Sequence, residues 1–279
     1  MVVQDGTVTS ESMGTSNDSP AGGYTPALQR SSSLTRFRLA PNPGPMSLDG
    51  TNSYVIGAAD SGHVAVVDPG PEDERHLAEL AAAGVVDVVL ITHRHADHTA
   101  ASARFHELTG APVRAAAVEY CHGGEPLVDG EVLHAGGVEI RVVATPGHTS
   151  DSLCFHLPAD GPNGSVLTGD TILGRGTTVL DYPDGRLGDY LASLDRLESL
   201  GPATLLPAHG PVLEALDVKC REYREHRQQR LDQIRAALEQ LGQDAPIAAV
   251  TDAVYPDVDP SVRWAAETSV AAQLDYLRS

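Results

Sequence analysis

The sequence predicts an α/β body followed by a small helical domain. Strand-like and helix-like segments alternate up to about residue 210, a pattern that builds layers of sheet and helix. From Glu214 onward the pattern is helical only. The composition allows it: 279 residues with 41% hydrophobic and 20% charged form an ordinary globular mixture with enough apolar material for a core. The expected division is a tail over 1–34, a body over 35–213 and a helical domain over 214–279.

Residues 1–34 are rich in Ser, Thr, Gly and Asp, which predicts a disordered tail or a start placed too early, with Met13 as an alternative initiator. Order is expected from near Phe37. TNSYVIG (51–57) and GHVAVVDPG (62–70) read as strands joined by a turn at Asp60-Ser61-Gly62. EDERHLAELAAAG (72–84) is acidic at its start and closes on Gly84, as a helix does. VVDVVLIT (85–92) is an almost unbroken β-branched run, the mark of a buried strand. A short helix follows over 98–110. Further strands are expected at 111–116, 139–145, 152–157, 165–169 and 204–208, with a helix over 188–201. In the last part, 214–241 reads as one long helix with Leu231, Ile234, Leu238 and Leu241 on one face. A second helix starts at Pro246, and SVRWAAETSVAAQLDYLRS makes a third.

Several function classes are excluded or disfavoured. No apolar run approaches the ~18–20 residues that span a bilayer, so no membrane partner is expected. The opening MVVQDGTVTSESMG lacks the basic end and apolar stretch of a secretory signal. Three widely spaced cysteines, Cys121, Cys154 and Cys220, fit a reducing cytoplasm and not a disulfide scaffold. The net charge of −19 repels polyanions, so double-stranded DNA is not expected as a partner. Nothing in the sequence sets the oligomeric state.

The informative residues are the 12 histidines, set against only 3 Phe and 1 Trp. ITHRHADHTA (91–100) holds H-x-H-x-D-H: His93, His95, Asp97 and His98. It sits where the buried strand ends, and residues two apart on extended chain project to the same side. Imidazole and carboxylate suit Zn²⁺ and related divalent ions. His148 in TPGHTSDS, Asp170 in LTGD and His209 in LLPAHG each lie just past a strand end, beside Gly or Pro. Donors at several strand ends on one sheet edge match where α/β sites form. Seven such donors suffice for two metals. The other histidines (His63, His76, His106, His122, His134 and His156) lack ligand spacing and read as surface or helix residues. Cys121 and Cys154 read as buried small hydrophobes.

The sequence resembles the metallo-beta-lactamase superfamily from about residue 41 onward. Within it, PNPGPMSLDGTNSYVIG, THRHADH, TPGHTSD, TGDTILGRGTTV and PAHGPV are similar to the beta-lactamase-like protein 2 subgroup of endoribonucleases and their bacterial relatives. So is the segment Lys219-x-x-x-Tyr223-x-x-His226-Arg227-x-x-Arg230. The resemblance implies an αββα sandwich with a helical, winged-helix-like C-terminal domain. It implies two Zn²⁺, with Mn²⁺ or Fe as substitutes: His93, His95 and His148 on the first, Asp97, His98 and His209 on the second, and Asp170 between them. A hydroxide shared by the ions would be the nucleophile, with Asp97 the catalytic proton carrier. Asp68 in VVDPG would organise the metal-binding loop through hydrogen bonds. One class of β-lactam-hydrolysing zinc enzymes has Cys at the position of Asp170, so this chain falls outside that class.

Tyr223, His226, Arg227 and Arg230 recur at helical spacing and share one face. That face is either a substrate-binding lip over the metal cleft, contacting phosphate or another anion, or a packing face between domains. Between Lys219 and Arg235 the segment holds Lys219, Arg221, Arg224, Arg227, Arg230 and Arg235 against Glu222, Glu225 and Asp232. The leading functional expectation is a phosphodiesterase or endoribonuclease acting on single-stranded RNA or a small anionic substrate. The alternative is an acyl hydrolase of small thioesters or lactones, similar to glyoxalase II, and a non-enzymatic metal-binding module is a remote third. Ser152 stands where RNA-cleaving relatives often carry His, and those relatives commonly continue into a β wing; both points weigh toward the acyl hydrolase.

Overall fold

The computed structural model describes residues 28–279. The expected tail therefore lies mostly outside the described residues. Its last segment is built into the fold: Gln29–Arg30 forms β1, and Ser32, Ser33 and the Leu34 amide bond to the Asp160 carboxylate.

The chain continues through β2 (Thr35–Leu39), β3 (Asn52–Ile56), β4 (His63–Val67), α1 (Glu74–Ala81), β5 (Val85–Leu90), α2 (Ala96–Thr99), α3 (Ser102–Thr109) and β6 (Val113–Arg114). Then come β7 (Val132–Ala135), β8 (Val138–Ala144), β9 (Leu153–Leu157), β10 (Ser165–Gly169), α4 (Leu187–Glu198) and β11 (Thr204–Pro207). Three helices close the chain: α5 (Leu216–Leu241), α6 (Ile247–Val254) and α7 (Arg263–Arg278).

Two sheets result, one ordered β1-β2-β3-β4-β5-β6 and one ordered β11-β10-β9-β8-β7. Side chains alternate across each strand, so each sheet has two apolar faces to cover. Tyr54, Ile56, Val67 and Leu90 of the first sheet pack against Ile140, Val142, Phe155, Leu167 and Leu206 of the second. The outer face of the first sheet, with Val55, Val66 and Val89, is closed by Leu77, Leu80 and Phe105 from α1 and α3. The outer face of the second, with Val143, Cys154, Val166 and Leu205, is closed by α4 and α5 through Tyr190, Leu194, Leu197, Leu216 and Tyr223. The layers are thus α, β, β, α, as the resemblance implies. A further core of Ile234, Leu238, Val250, Val270 and Leu274 joins α5, α6 and α7.

One rim of the sandwich is sewn shut by backbone. Leu153 N donates to Thr92 O at 2.8 Å and Asn52 N to Ala208 O at 2.7 Å, so strand ends from opposite sheets meet there. β4, β5, β8, β10 and β11 all terminate at this rim.

Some expectations change on inspection. The helix expected over 98–110 starts at Ala96 and breaks into α2 and α3, the latter stopped by Gly110 in left-handed conformation. The strand at 111–116 shrinks to Val113–Arg114. β7 had no counterpart in the sequence reading, because it is a short edge strand with three of its four residues at least partly exposed. Leu241 ends α5 at 47% exposure and leaves the apolar face. His76 is a helix residue, in α1, and is buried; its Nε2 lies 2.9 Å from Ser53 Oγ, and burial pushes its imidazole down to about 4. Cys154 is buried as expected, Cys121 only half-buried, and all three cysteines are free. Among the described residues no strand follows β11, so the winged-helix likeness reduces to its helices. Among them, too, no helix is long and apolar enough to cross a membrane.

Candidate metal centre

β5 is buried between parallel neighbours, and where it leaves the sheet the chain turns directly into α2. That turn places His93, His95, Asp97 and His98 at the sewn rim. His148 arrives on the loop after β8, Asp170 directly after β10 and His209 just beyond β11. Three groups of donor atoms gather, each within 4.8 Å: His93, His95 and His148; His93, His98 and Asp170; Asp97, His98 and His209. All seven sequence-predicted donors are brought together.

The spacing of the first group fits that of metal ligands. His93 Nε2 lies 3.0 Å from His95 Nδ1 and 3.3 Å from His148 Nε2, and the latter is 3.2 Å from His95 Nδ1. Tetrahedral donors around a Zn²⁺ stand about 3.3 Å apart, given metal–nitrogen bonds of about 2.0–2.1 Å. The opposite ring nitrogens are held elsewhere. His148 Nδ1 donates to Val179 O at 2.6 Å, because a carbonyl can only accept, and that leaves Nε2 with its lone pair facing the cluster. His95 Nε2 faces Asp181 Oδ2 at 3.2 Å. Burial, then the neighbouring imidazoles His98 and His148, holds His93 well below the usual imidazole range; burial pushes His148 down to about 4. Both are therefore neutral donors near neutral pH.

The second group is carboxylate-rich. Asp97 Oδ2 lies 3.4 Å from His98 Nε2 and 3.2 Å from His209 Nε2, and accepts from Thr51 Oγ1 at 3.2 Å. His209 Nδ1 donates to Gly50 O at 3.1 Å. Asp68, fully buried in left-handed backbone at φ 51°, accepts from Thr92 N, Thr92 Oγ1 and His98 Nδ1 at 2.7–2.8 Å. It thereby orients His98 and ties down the loop. Burial opposes the charged ring of His98, but Asp97 and Asp68 outweigh it and raise that imidazole well above its usual range. Burial likewise opposes His209, and Asp170 and Asp97 lift it to about 9.

Asp170 stands between the two groups. Its Oδ1 lies 3.3 Å from His209 Nε2 and 3.7 Å from His98 Nε2, while Oδ2 faces His148 Nε2 at 3.8 Å. Burial works against its ionisation, yet His209, His98 and His93 hold it well below the usual carboxylate range. His98 Nε2, His209 Nε2 and Asp170 Oδ1 are buried with no hydrogen-bond partner. Orphaned donor atoms are costly, and three aimed at one space fit a divalent cation.

The expected substrate lip looks inward instead. Tyr223 is buried, accepts from Leu173 N and donates to Gly176 O. Arg227, 3% exposed, donates to Thr178 O and lies over the Tyr190 ring at 5.1 Å. Arg230 covers the Tyr255 ring at 4.7 Å, and His226 reaches Thr177 Oγ1 at 3.5 Å. Lys219, Arg221, Arg224 and Arg235 are all paired with carboxylates. The face packs α5 onto the 173–178 segment, next to the Val179 carbonyl that orients His148. Arg227→Ala is accordingly expected to cost about 2–3 kcal/mol of stability and about tenfold in metal affinity. Thermal denaturation and metal titration measure both; a KM effect alone, with stability and metal unchanged, would restore the lip.

Sequence reading missed three contributors. Asp181 braces His95, and Arg94 bridges Asp181 and Asp184, the latter at 2.6 Å. Arg94 lies inside the histidine run, and the only sequence hint was the acid pair flanking Tyr182-Pro183. Trp264, read only as a helix residue, lines a cleft beside His95, Asp97 and His148.

Comparison with known proteins agrees with this geometry. The protein-family model of the metallo-beta-lactamase superfamily matches residues 46–209. A beta-lactamase-like protein 2 homologue from Caenorhabditis elegans is 31% identical over 265 residues, covering 90% of this chain and 86% of its own. An atrochrysone carboxyl ACP thioesterase from Aspergillus fumigatus is 34% identical over 212 residues, 73% of this chain; the match spans 64% of the fungal protein, less than two thirds of its length. Among solved structures, a metallo-beta-lactamase family protein from Thermus thermophilus superposes with a TM-score of 0.70 at 27% identity, covering 88% of this chain and 93% of that one. The family match runs from the loop before β3 through the last strand-end histidine, and so takes in the whole donor rim: the chain belongs to the metallo-beta-lactamase superfamily.

Proposed function

We propose that the protein is a binuclear metal-dependent acyl hydrolase acting on a small thioester or related ester. The observation that carries this reading is the cleft beside the cluster. Met46, Val179, Leu180, Tyr182 and Trp264 line it, and among the described residues no Lys or Arg does. The wall offers a polyanion no cationic side chain, and the Tyr223–Arg227–Arg230 face that favoured single-stranded RNA is engaged in packing. An apolar acyl group suits such a wall. The likeness to a fungal thioesterase supports the same reading.

His93, His95 and His148 would hold one cation, Asp97, His98 and His209 the other, with an oxygen of Asp170 toward each. Zn²⁺ suits the donor set, and Mn²⁺ or Fe could replace it. Such a pair supplies a nucleophilic water near neutral pH and Lewis acidity toward a carbonyl. Asp97 lies between cluster and cleft. Burial opposes its charge, but His98 and His209 keep it ionised well below the usual carboxylate range. Its position beside the cleft, and not its basicity, assigns it the role of accepting the proton of the attacking water and returning it to the leaving group. The apolar walls exclude bulk water and hold the acyl chain against the donors.

The test offers zinc-loaded protein a panel of acyl thioesters, a single-stranded RNA oligomer and bis-p-nitrophenyl phosphate. Thioester turnover is expected, falling about 10²–10³-fold in Asp97→Ala, the size of an acid–base contribution. Cleavage of RNA without thioester turnover would overturn the reading.

A further inference from the structure

The cleft beside the metal centre does not end at Trp264. It encloses about 370 Å³, and Tyr182 and Thr268 on its wall also line a second cavity of about 400 Å³ bounded by Ile247, Ala248 and Ala271. The two spaces are therefore neighbours on a shared Tyr182–Thr268 wall, one beside the histidines and the other beside α6. Three large apolar side chains along this path are open, Met46 at 39%, Trp264 at 53% and Ile247 at 42% exposure, while Leu180 is buried at its floor. A continuous exposed apolar strip of this kind marks a binding surface.

The polar groups along the path are already engaged. Thr268 Oγ1 donates to Trp264 O at 2.9 Å. Glu267 pairs with Arg263 at 3.0 Å. Asp181 is held by Arg94 and His95, and Asp97 belongs to the donor cluster. A ligand rich in amides or charges would bury polar groups against these walls without partners. A chain of methylenes would not.

We propose that this groove binds the unbranched aliphatic acyl chain of the substrate, its carbonyl end at the metal centre and its tail over Trp264 toward Ile247. Trp264 and Ile247 then act as specificity-determining residues for chain length. The inference deepens the acyl-hydrolase reading and rests on it for the identity of the reacting end, but binding of the chain can be measured without turnover.

Trp264 is the only tryptophan in the sequence, so its fluorescence reports the groove alone. Zinc-loaded protein is titrated with straight-chain fatty acid anions of four to twelve carbons. The expected result is a blue shift of emission, with Kd falling about threefold to fourfold per added methylene until the groove is filled. In Ile247→Glu the gain should stop at shorter chains, while butyrate and hexanoate bind as in the parent. An emission that does not move, or a Kd independent of chain length, would overturn the groove. Chain-dependent binding without turnover of any thioester would uphold the groove and sink the acyl-hydrolase reading. Thioester turnover indifferent to chain length would do the reverse.

Discussion

Asp68→Ala is expected to empty the second metal group and to destabilise the fold by about 3–5 kcal/mol, the cost of stranding one side of a buried charged network. The substitution leaves Thr92 N, Thr92 Oγ1 and His98 Nδ1 without their common acceptor in a site closed to water. Each stranded donor costs about 1–3 kcal/mol. The left-handed backbone at φ 51° adds to this, since alanine tolerates it less well than aspartate. Asp68→Asn separates the two effects. Asparagine keeps the volume, accepts the left-handed turn and can still take the Thr92 amide proton. Its amide NH₂, however, turns a donor toward His98 Nδ1. The ring is then driven to carry its proton on Nε2, the atom aimed at the cluster. Asp68→Asn should therefore fold nearly as well as the parent and bind about one metal equivalent less. Metal analysis and denaturant titration on both variants decide the matter. Full metal content in Asp68→Asn would mean that Asp68 organises the loop but does not set the tautomer of His98.

Chelation is expected to have a comparably large effect. A cation that binds only the folded chain stabilises it by about 4 kcal/mol per site when free metal exceeds the dissociation constant a thousandfold. In a protein of this size 1 kcal/mol shifts Tm by roughly 2–4 °C. Stripping both sites should lower Tm by about 10 °C or more and abolish turnover, and zinc should restore both. The physical cause is visible in the cluster: without a cation, three imidazole nitrogens face one another at 3.0–3.3 Å and three buried donor atoms lack partners. A Tm unmoved by chelator, in protein shown by metal analysis to be stripped, would contradict the two-ion arrangement.

The parts of this molecule that were legible in the sequence are those governed by local periodicity or by side-chain chemistry. β5 announced itself through the β-branched run Val85–Leu90, whose second half, Val88–Leu90, is buried on both faces while Val85 lies open at its start. The donor rim was legible because His and Asp followed strand ends, and strand ends of like direction share an edge. Helical spacing correctly put Tyr223, Arg227 and Arg230 on one face of α5. It carried no information on what that face meets, and Tyr190 and the Thr178 carbonyl turned out to be waiting there. Asp181 and Trp264 were illegible for the same reason. Each acts on the centre from a distant segment, the one bracing His95 and the other walling the cleft, and only tertiary packing makes them neighbours.

The sewn rim gives the metal centre a mechanical character. Each of the three triads draws two donors from the end of β5 in the first sheet and one from the second sheet: His148, Asp170 or His209. Neither half of the sandwich can assemble a triad alone. Cation capture would thus report the docking of two half-proteins, and a loaded centre would work as a rivet through the seam, resisting any opening that parts the halves.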